Sequence, residues 1–166
     1  MTAARRAPKV AESASRLARR LAGDEVVPRW DAGLPAGGRV RRPQRTEGRP
    51  GTDPVVLLPS CTGTMFGPPP RQGGATAAFL ALCRVAGVAV VVPPGVGAAC
   101  CGTPWRSKGA LEGYAVVRAR TEHLLRTASQ DGRLAIVSDA SSCTEGLRHA
   151  VPGLTATDVV AFTAST

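Results

Sequence analysis

Residues 55–61 read Val55-Val56-Leu57-Leu58-Pro59-Ser60-Cys61. Four apolar residues with no polar interruption, shut off by a proline, read as a short strand buried on both faces. A cysteine then follows at the point where the chain leaves the strand. The same grammar recurs downstream. Residues 88–92 form a second β-branched run closed by Pro93 and Pro94, and residues 134–137 a third. Between them lie helical patterns over residues 75–86, stopped by Gly87, and 109–129, with apolar positions at Leu111, Ala115, Val116, Ala119, Leu124 and Leu125. A short helix is expected from about Glu145 to Ala150, and a fourth strand over residues 157–162. The last residues, 163–166, show neither cap nor helix. Alternation of this kind predicts an α/β domain: three layers, a short and mainly parallel sheet, and helices on both its faces. No internal repeat is visible.

The chain has 166 residues, enough for one domain with a real core. An aromatic share of 4% leaves Val, Ala and Leu to fill that core, which suits a buried parallel sheet. Upstream of the first strand the character changes. Residues 1–50 hold 12 of the 21 basic residues and 5 of the 12 acidic ones, so most of the net charge of +9 belongs to an N-terminal arm. Within the arm, residues 11–22 repeat Ala, Leu and Arg at helical spacing. Residues 26–54 are rich in Gly, Pro and Arg and read as an extended linker able to wrap a neighbouring surface. The expected division is therefore a basic arm, 1–53, and a cysteine-bearing domain, 54–166. Only one aromatic residue, Trp30, lies among the arginines, which argues against nucleic acid and for a solvated arm with at most peripheral membrane contact. No apolar stretch reaches membrane-spanning length, and no apolar core follows the basic opening as in a secretory leader. The expected location is the cytoplasm, extending at most to the inner face of the membrane.

The cysteines decide the chemistry. Cys61 follows strand one, Cys100 and Cys101 follow strand two, and Cys143 follows strand three. In a parallel sheet, loops beyond the carboxyl ends of the strands share one edge, so three loops deliver four thiols to one place. Cys83 falls inside a helix and reads as a small core residue. Four thiolates stay deprotonated together only beside a strong positive charge, which a metal or an iron–sulfur cluster supplies. The adjacent pair Cys100-Cys101 is a poor candidate for a structural disulfide. Zinc satisfies four cysteines equally well, although structural zinc sites draw ligands as close C-x-x-C pairs, which are absent here. Cluster, zinc and plain core thiols all stay open on spacing alone. Gly63 and Gly102 would let backbone approach the site and offer amides to its sulfurs. Arg106 and Lys108 would offset anionic charge or serve as surface cations, Asp139 would cap a turn, bond a loop amide or contact the site, and Trp105 would shield the site or fill the core. No G-x-G-x-x-G follows a strand, so a dinucleotide site is unsupported. His123 and His149 fall on helices and read as surface residues.

One Cys, 38 residues (62–99), Cys100-Cys101-Gly102, 41 residues (102–142) and a final Cys make a pattern that resembles the cysteine-rich CCG domain. That domain occurs in heterodisulfide reductase subunits, glycolate oxidase iron–sulfur subunits and lactate-utilisation proteins. Pro59-Ser60-Cys61, Cys100-Cys101-Gly102-Thr103-Pro104-Trp105-Arg106-Ser107-Lys108-Gly109 and Asp139-Ala140-Ser141-Ser142-Cys143-Thr144 are similar to stretches in the C-terminal part of FAD-linked, iron–sulfur D-lactate dehydrogenase-type oxidoreductases. The resemblance covers about residues 54–162. It implies an iron–sulfur cluster, of 4Fe-4S type, held by Cys61, Cys100, Cys101 and Cys143 with Gly102 against it. It implies electron transfer within an enzyme that oxidises D-lactate or a similar 2-hydroxy acid, with a quinone or cytochrome as acceptor. FAD and a ferredoxin-like segment would reside in a partner or a missing domain, so the chain would be a split subunit or fragment, not catalytic alone. The wider family often ends in C-x-x-C where this chain has Ser141, Ser142 and Cys143, and the cluster type stays open there. A zinc-stabilised interaction module and an inactive truncated remnant are the alternatives.

Overall fold

A computed structural model describes residues 7–31, 40–67 and 73–165. The arm's first six residues, residues 32–39 of its linker, part of the Gly- and Pro-rich loop after the first strand and Thr166 lie outside the described residues.

The run Val55–Leu58 forms β2, the central strand, and all four residues are buried. It pairs in parallel with β3 (Val90–Val92) on one side and β4 (Ile136–Ser138) on the other. Val55 N–H donates to Ala89 O at 2.9 Å and Val56 N–H to Ala135 O at 2.8 Å, so both of its flanks are bonded. Beyond β4 lies β5 (Ala156–Asp158), again parallel. Beyond β3 lies β1 (Gln44–Arg45), antiparallel, giving the order β1-β3-β2-β4-β5. The parallel strands therefore run outward in two directions from β2, and the strand order reverses between β2 and β4.

Four helices follow the expected alternation, α1 (Pro8–Ala22), α3 (Ala75–Ala86), α5 (Leu111–Ser129) and α6 (Ser141–Ala150), and three short ones were not expected: α2 (Cys61–Met65), α4 (Thr103–Ser107) and α7 (Val159–Ala164). The core is aliphatic. Val56, Leu57, Val90, Val137, Leu125 and Leu147 lose essentially all their exposure, each worth about 1.5–3 kcal/mol of transfer free energy. Mixed α/β architecture with a mostly parallel sheet is thus as the alternation predicts.

Four details differ from the sequence expectation. Residues 159–162 are not strand: β5 ends at Asp158, whose Oδ1 accepts from the amides of Val160 and Ala161, each at 2.9 Å, and starts α7. The cap overrides the strand preference of Val159 and Val160. The helical turn carries Phe162 onto Phe79 edge to face, with ring centroids 5.9 Å apart. Helix α6 begins at Ser141, not near Glu145, so Cys143 sits in a helix. Strands β3 and β4 begin two residues later than expected, at Val90 and Ile136. Part of the stretch read as linker joins the sheet as β1: Thr46 N–H donates to Val90 O at 2.9 Å, and Thr46 Oγ1 accepts from Val90 N–H at 2.8 Å.

Candidate metal centre

Each cysteine of the pattern lies in the segment that follows the carboxyl end of a parallel strand. Cys61 opens α2, where Ser60 is the cap and its Oγ accepts the Gly63 amide at 3.1 Å. That bond occupies the Gly63 amide, which sequence had offered to a sulfur. Cys100 and Cys101 follow a single 3-10 turn, Val96–Ala98, after β3. Cys143 lies in the first turn of α6, after β4. Cys101 and Cys143 are buried, Cys61 and Cys100 half-buried, and no disulfide joins any of the five cysteines. Cys83 is buried in α3 among the core residues, and burial pushes its thiol up.

Cys101 is the centre of the group. Its sulfur lies close enough to those of Cys100, its neighbour, and Cys143, from a different loop, for each to shift the ionisation of the others. Donation from Cys100 first and Cys143 second holds Cys101 far below the ordinary thiol range, against its own burial. The same bonds push Cys100 and Cys143 upward, helped by burial and by the neighbouring Cys61. Asp139 adds its negative charge against Cys143. The three sulfurs thus titrate together, and Cys61 lies within electrostatic reach of Cys100 and Cys143. Thr103 Oγ1 stands 3.5 Å from Cys101 Sγ; it accepts from the thiol and donates when the sulfur is ionised.

The backbone around the sulfurs is tightly specified. Gly102 has φ +84°, and its N–H donates to Cys100 Sγ at 3.4 Å. A Cβ at Gly102 would also stand 2.4 Å from the Tyr114 ring. Gly146 of α6 is pressed onto the same loop: a Cβ there would lie 2.4 Å from Thr103 Oγ1 and 2.8 Å from Cys101 O. Thr121 of α5, fully buried, accepts from Cys100 N–H and donates to Cys100 O, both at 3.0 Å. Asp139 ties two loops together: its Oδ1 accepts from Ser60 N–H at 2.6 Å, and its Oδ2 bonds the Thr76 hydroxyl of α3. The loop-amide role considered for Asp139 is the one observed. Beside Cys61, where the strand order reverses, a groove of about 490 Å³ opens between Ser60, Gly63, Thr76 and Asp139.

Arg106 and Lys108 are exposed, and Trp105 lies with its ring against Gly113 of α5. His149 is exposed on α6, its Nε2 3.4 Å from Glu145 Oε1. The guanidinium that does reach the cysteine loops comes from the arm: Arg41 Nη1 donates to Pro59 O at 3.0 Å and Nη2 to Ala99 O at 2.7 Å. Arg41, Thr121 and Gly146 were not singled out in the sequence.

Among the described residues, no group of three or more Cys, His, Asp or Glu side chains stands in position to hold one metal ion. Cys100, Cys101 and Cys143 are instead coupled through their charges, with Cys101 at the centre. The donor set itself consists of thiols alone, with a backbone N–H on one sulfur and a residue without Cβ beside it. Thiolates are the donor type that iron–sulfur clusters take, each on a different iron. Among the described residues, no helix is long and apolar enough to cross a membrane. Comparisons with protein-family models, with curated proteins and with solved structures yield no match for this chain.

Proposed function

We propose that this chain is an iron–sulfur electron-transfer domain, working with a flavoprotein that oxidises D-lactate or a similar 2-hydroxy acid. The observation that carries the reading is that three loops at the carboxyl edge of one parallel sheet bring four cysteines within electrostatic reach of one another. Cys61, Cys100, Cys101 and Cys143 would hold the cluster. When bound, the cluster supplies one-electron relay between the partner's flavin and an acceptor such as a quinone or cytochrome.

The chain's own residues prepare that role in three ways. Gly102 brings an N–H to Cys100 Sγ, and hydrogen bonds to ligand sulfur raise a cluster's potential. Thr121 fixes the Cys100 backbone at both its N–H and its C=O. Burial of Cys101 and Cys143 keeps water from half of the donor set. FAD and a ferredoxin-like relay belong to the partner, and no step of hydroxy-acid chemistry is assigned to this chain.

Anaerobic purification with iron, acid-labile sulfide and zinc analysis tests the reading. Iron and sulfide together, lost in Cys101→Ser, support it. Zinc without sulfide transfers the site to a structural module, and no metal after reconstitution leaves a chain that has the sulfurs without the chemistry.

A further inference from the structure

The arm contributes one side chain to the edge where the cysteines meet. Arg41 stands three residues before β1, which anchors the arm to β3 through Gln44 and Arg45. Its guanidinium donates from Nη1 to Pro59 O at 3.0 Å, and from Nη2 to Ala99 O at 2.7 Å and Gly97 O at 3.3 Å. Pro59 is two residues before Cys61, and Ala99 immediately precedes Cys100. One planar, permanently charged group therefore spans two of the three cysteine loops. These carbonyls lie past the ends of their strands, where the sheet ladder no longer satisfies them. A guanidinium offers several donors in a fixed fork, and an ammonium does not.

We propose that Arg41 is a positioning residue for the cysteine site: it ties the loop of Cys61 to the loop of Cys100 and leaves a fixed positive charge between them. Its purpose rests on the cluster reading above, but the clamp itself rests only on the three hydrogen bonds. Its three bonds go neither to the loop of Cys143 nor to α3, which carries Cys83. The cation would also offset part of the negative charge that four thiolates bring to one edge, which raises the potential of a thiolate-ligated centre.

The test uses the full chain, metal-free, with iodoacetamide labelling of each cysteine followed by peptide mass spectrometry. Arg41→Met is expected to speed labelling of Cys61 and of the adjacent Cys100 and Cys101 about tenfold, the worth of one charge-assisted hydrogen bond, with Cys83 in the core unchanged. Arg41→Lys keeps the charge without the fork and is expected to fall between wild type and Arg41→Met. Wild-type labelling of Cys61 and Cys100 in Arg41→Met overturns the proposal. An equal rise at every cysteine does so too, since Arg41 would then support the fold at large, and complete rescue by lysine removes the fork. Iron content of the wild-type chain is measured separately. A chain that takes up no iron defeats the cluster reading and leaves the labelling contrast to judge Arg41 alone.

Discussion

The cysteine edge of the sheet and the helix α1 are built by opposite means. At the sheet edge, apolar strands end in a ring of backbone-directed bonds: Thr121, Asp139 and Arg41 each hold a loop at main-chain atoms. Helix α1 has a clear apolar stripe, yet Val10, Leu17 and Leu21 remain 69%, 59% and 80% exposed. What the helix does bind lies on its polar side. Ser15 Oγ accepts from Trp30 N–H at 2.9 Å, and Arg19 Nη1 donates to Val27 O at 2.7 Å. Amphipathic spacing thus marks a helix without marking burial, because burial needs a complementary surface opposite the stripe. The strands carry no such ambiguity: a run apolar on both faces has nowhere to go but inside.

The widest difference between the two regions is expected in stability. Leu57→Ala in β2 should cost about 2–5 kcal/mol in urea denaturation, whereas Leu17→Ala in α1 should stay within about 0.5 kcal/mol. Equal losses would mean that something covers the α1 stripe in solution. Next comes the contact between α6 and the cysteine loop. Gly146→Ala places a Cβ 2.4 Å from Thr103 Oγ1, and should cost about 1–3 kcal/mol by displacing Thr103 and Cys101. A loss under about 0.5 kcal/mol would show that the loop yields and is not held as described. Thr121→Val keeps the side chain's shape and deletes both bonds to Cys100, for an expected loss of about 1–3 kcal/mol, measured by thermal and denaturant melts.

The smallest expected effect concerns pH, and its sign follows from the shifts. Cys100 and Cys143 are raised above their ordinary 9.0, so their stabilisation is complete below that value and fades as pH rises through their folded-state range. Cys101 is lowered; its contribution is present above 9.0 and fades as pH falls through its folded-state value. At neutral pH the metal-free chain should therefore show one thiolate in the ultraviolet. Cys101→Ser should abolish it, and Cys83→Ser should leave it. A thiolate signal that first emerges at the ordinary thiol value of 9.0 would contradict the lowering of Cys101.

Much of this was open to a reader of the sequence, for physical reasons that vary along the chain. Residues 55–58 announce β2 because nothing polar interrupts them, and α3 closes at Gly87 in the left-handed conformation that favours glycine. The cysteine group is legible because topology alone brings three successive βα loops to one edge. Residues 159–162 misled because β-branched residues favour strands locally, while the deciding cap is a single aspartate one residue earlier. Arg41 was hidden among the arm's arginines, and only its three-carbonyl contact distinguishes it. Thr121 and Gly146 gave no signal: a mid-helix threonine reads as a neutral choice, and a helical glycine as a weak point. Both matter through what they touch across the fold, which spacing along one chain does not encode.

Iron and acid-labile sulfide in five single Cys→Ser variants, reconstituted under one anaerobic protocol, would judge the whole picture. Loss in Cys61→Ser, Cys100→Ser, Cys101→Ser and Cys143→Ser, with retention in Cys83→Ser, is the result expected from four thiols meeting at the sheet edge while the fifth packs in the core. Retention across all five, or loss in Cys83→Ser alone, would contradict it.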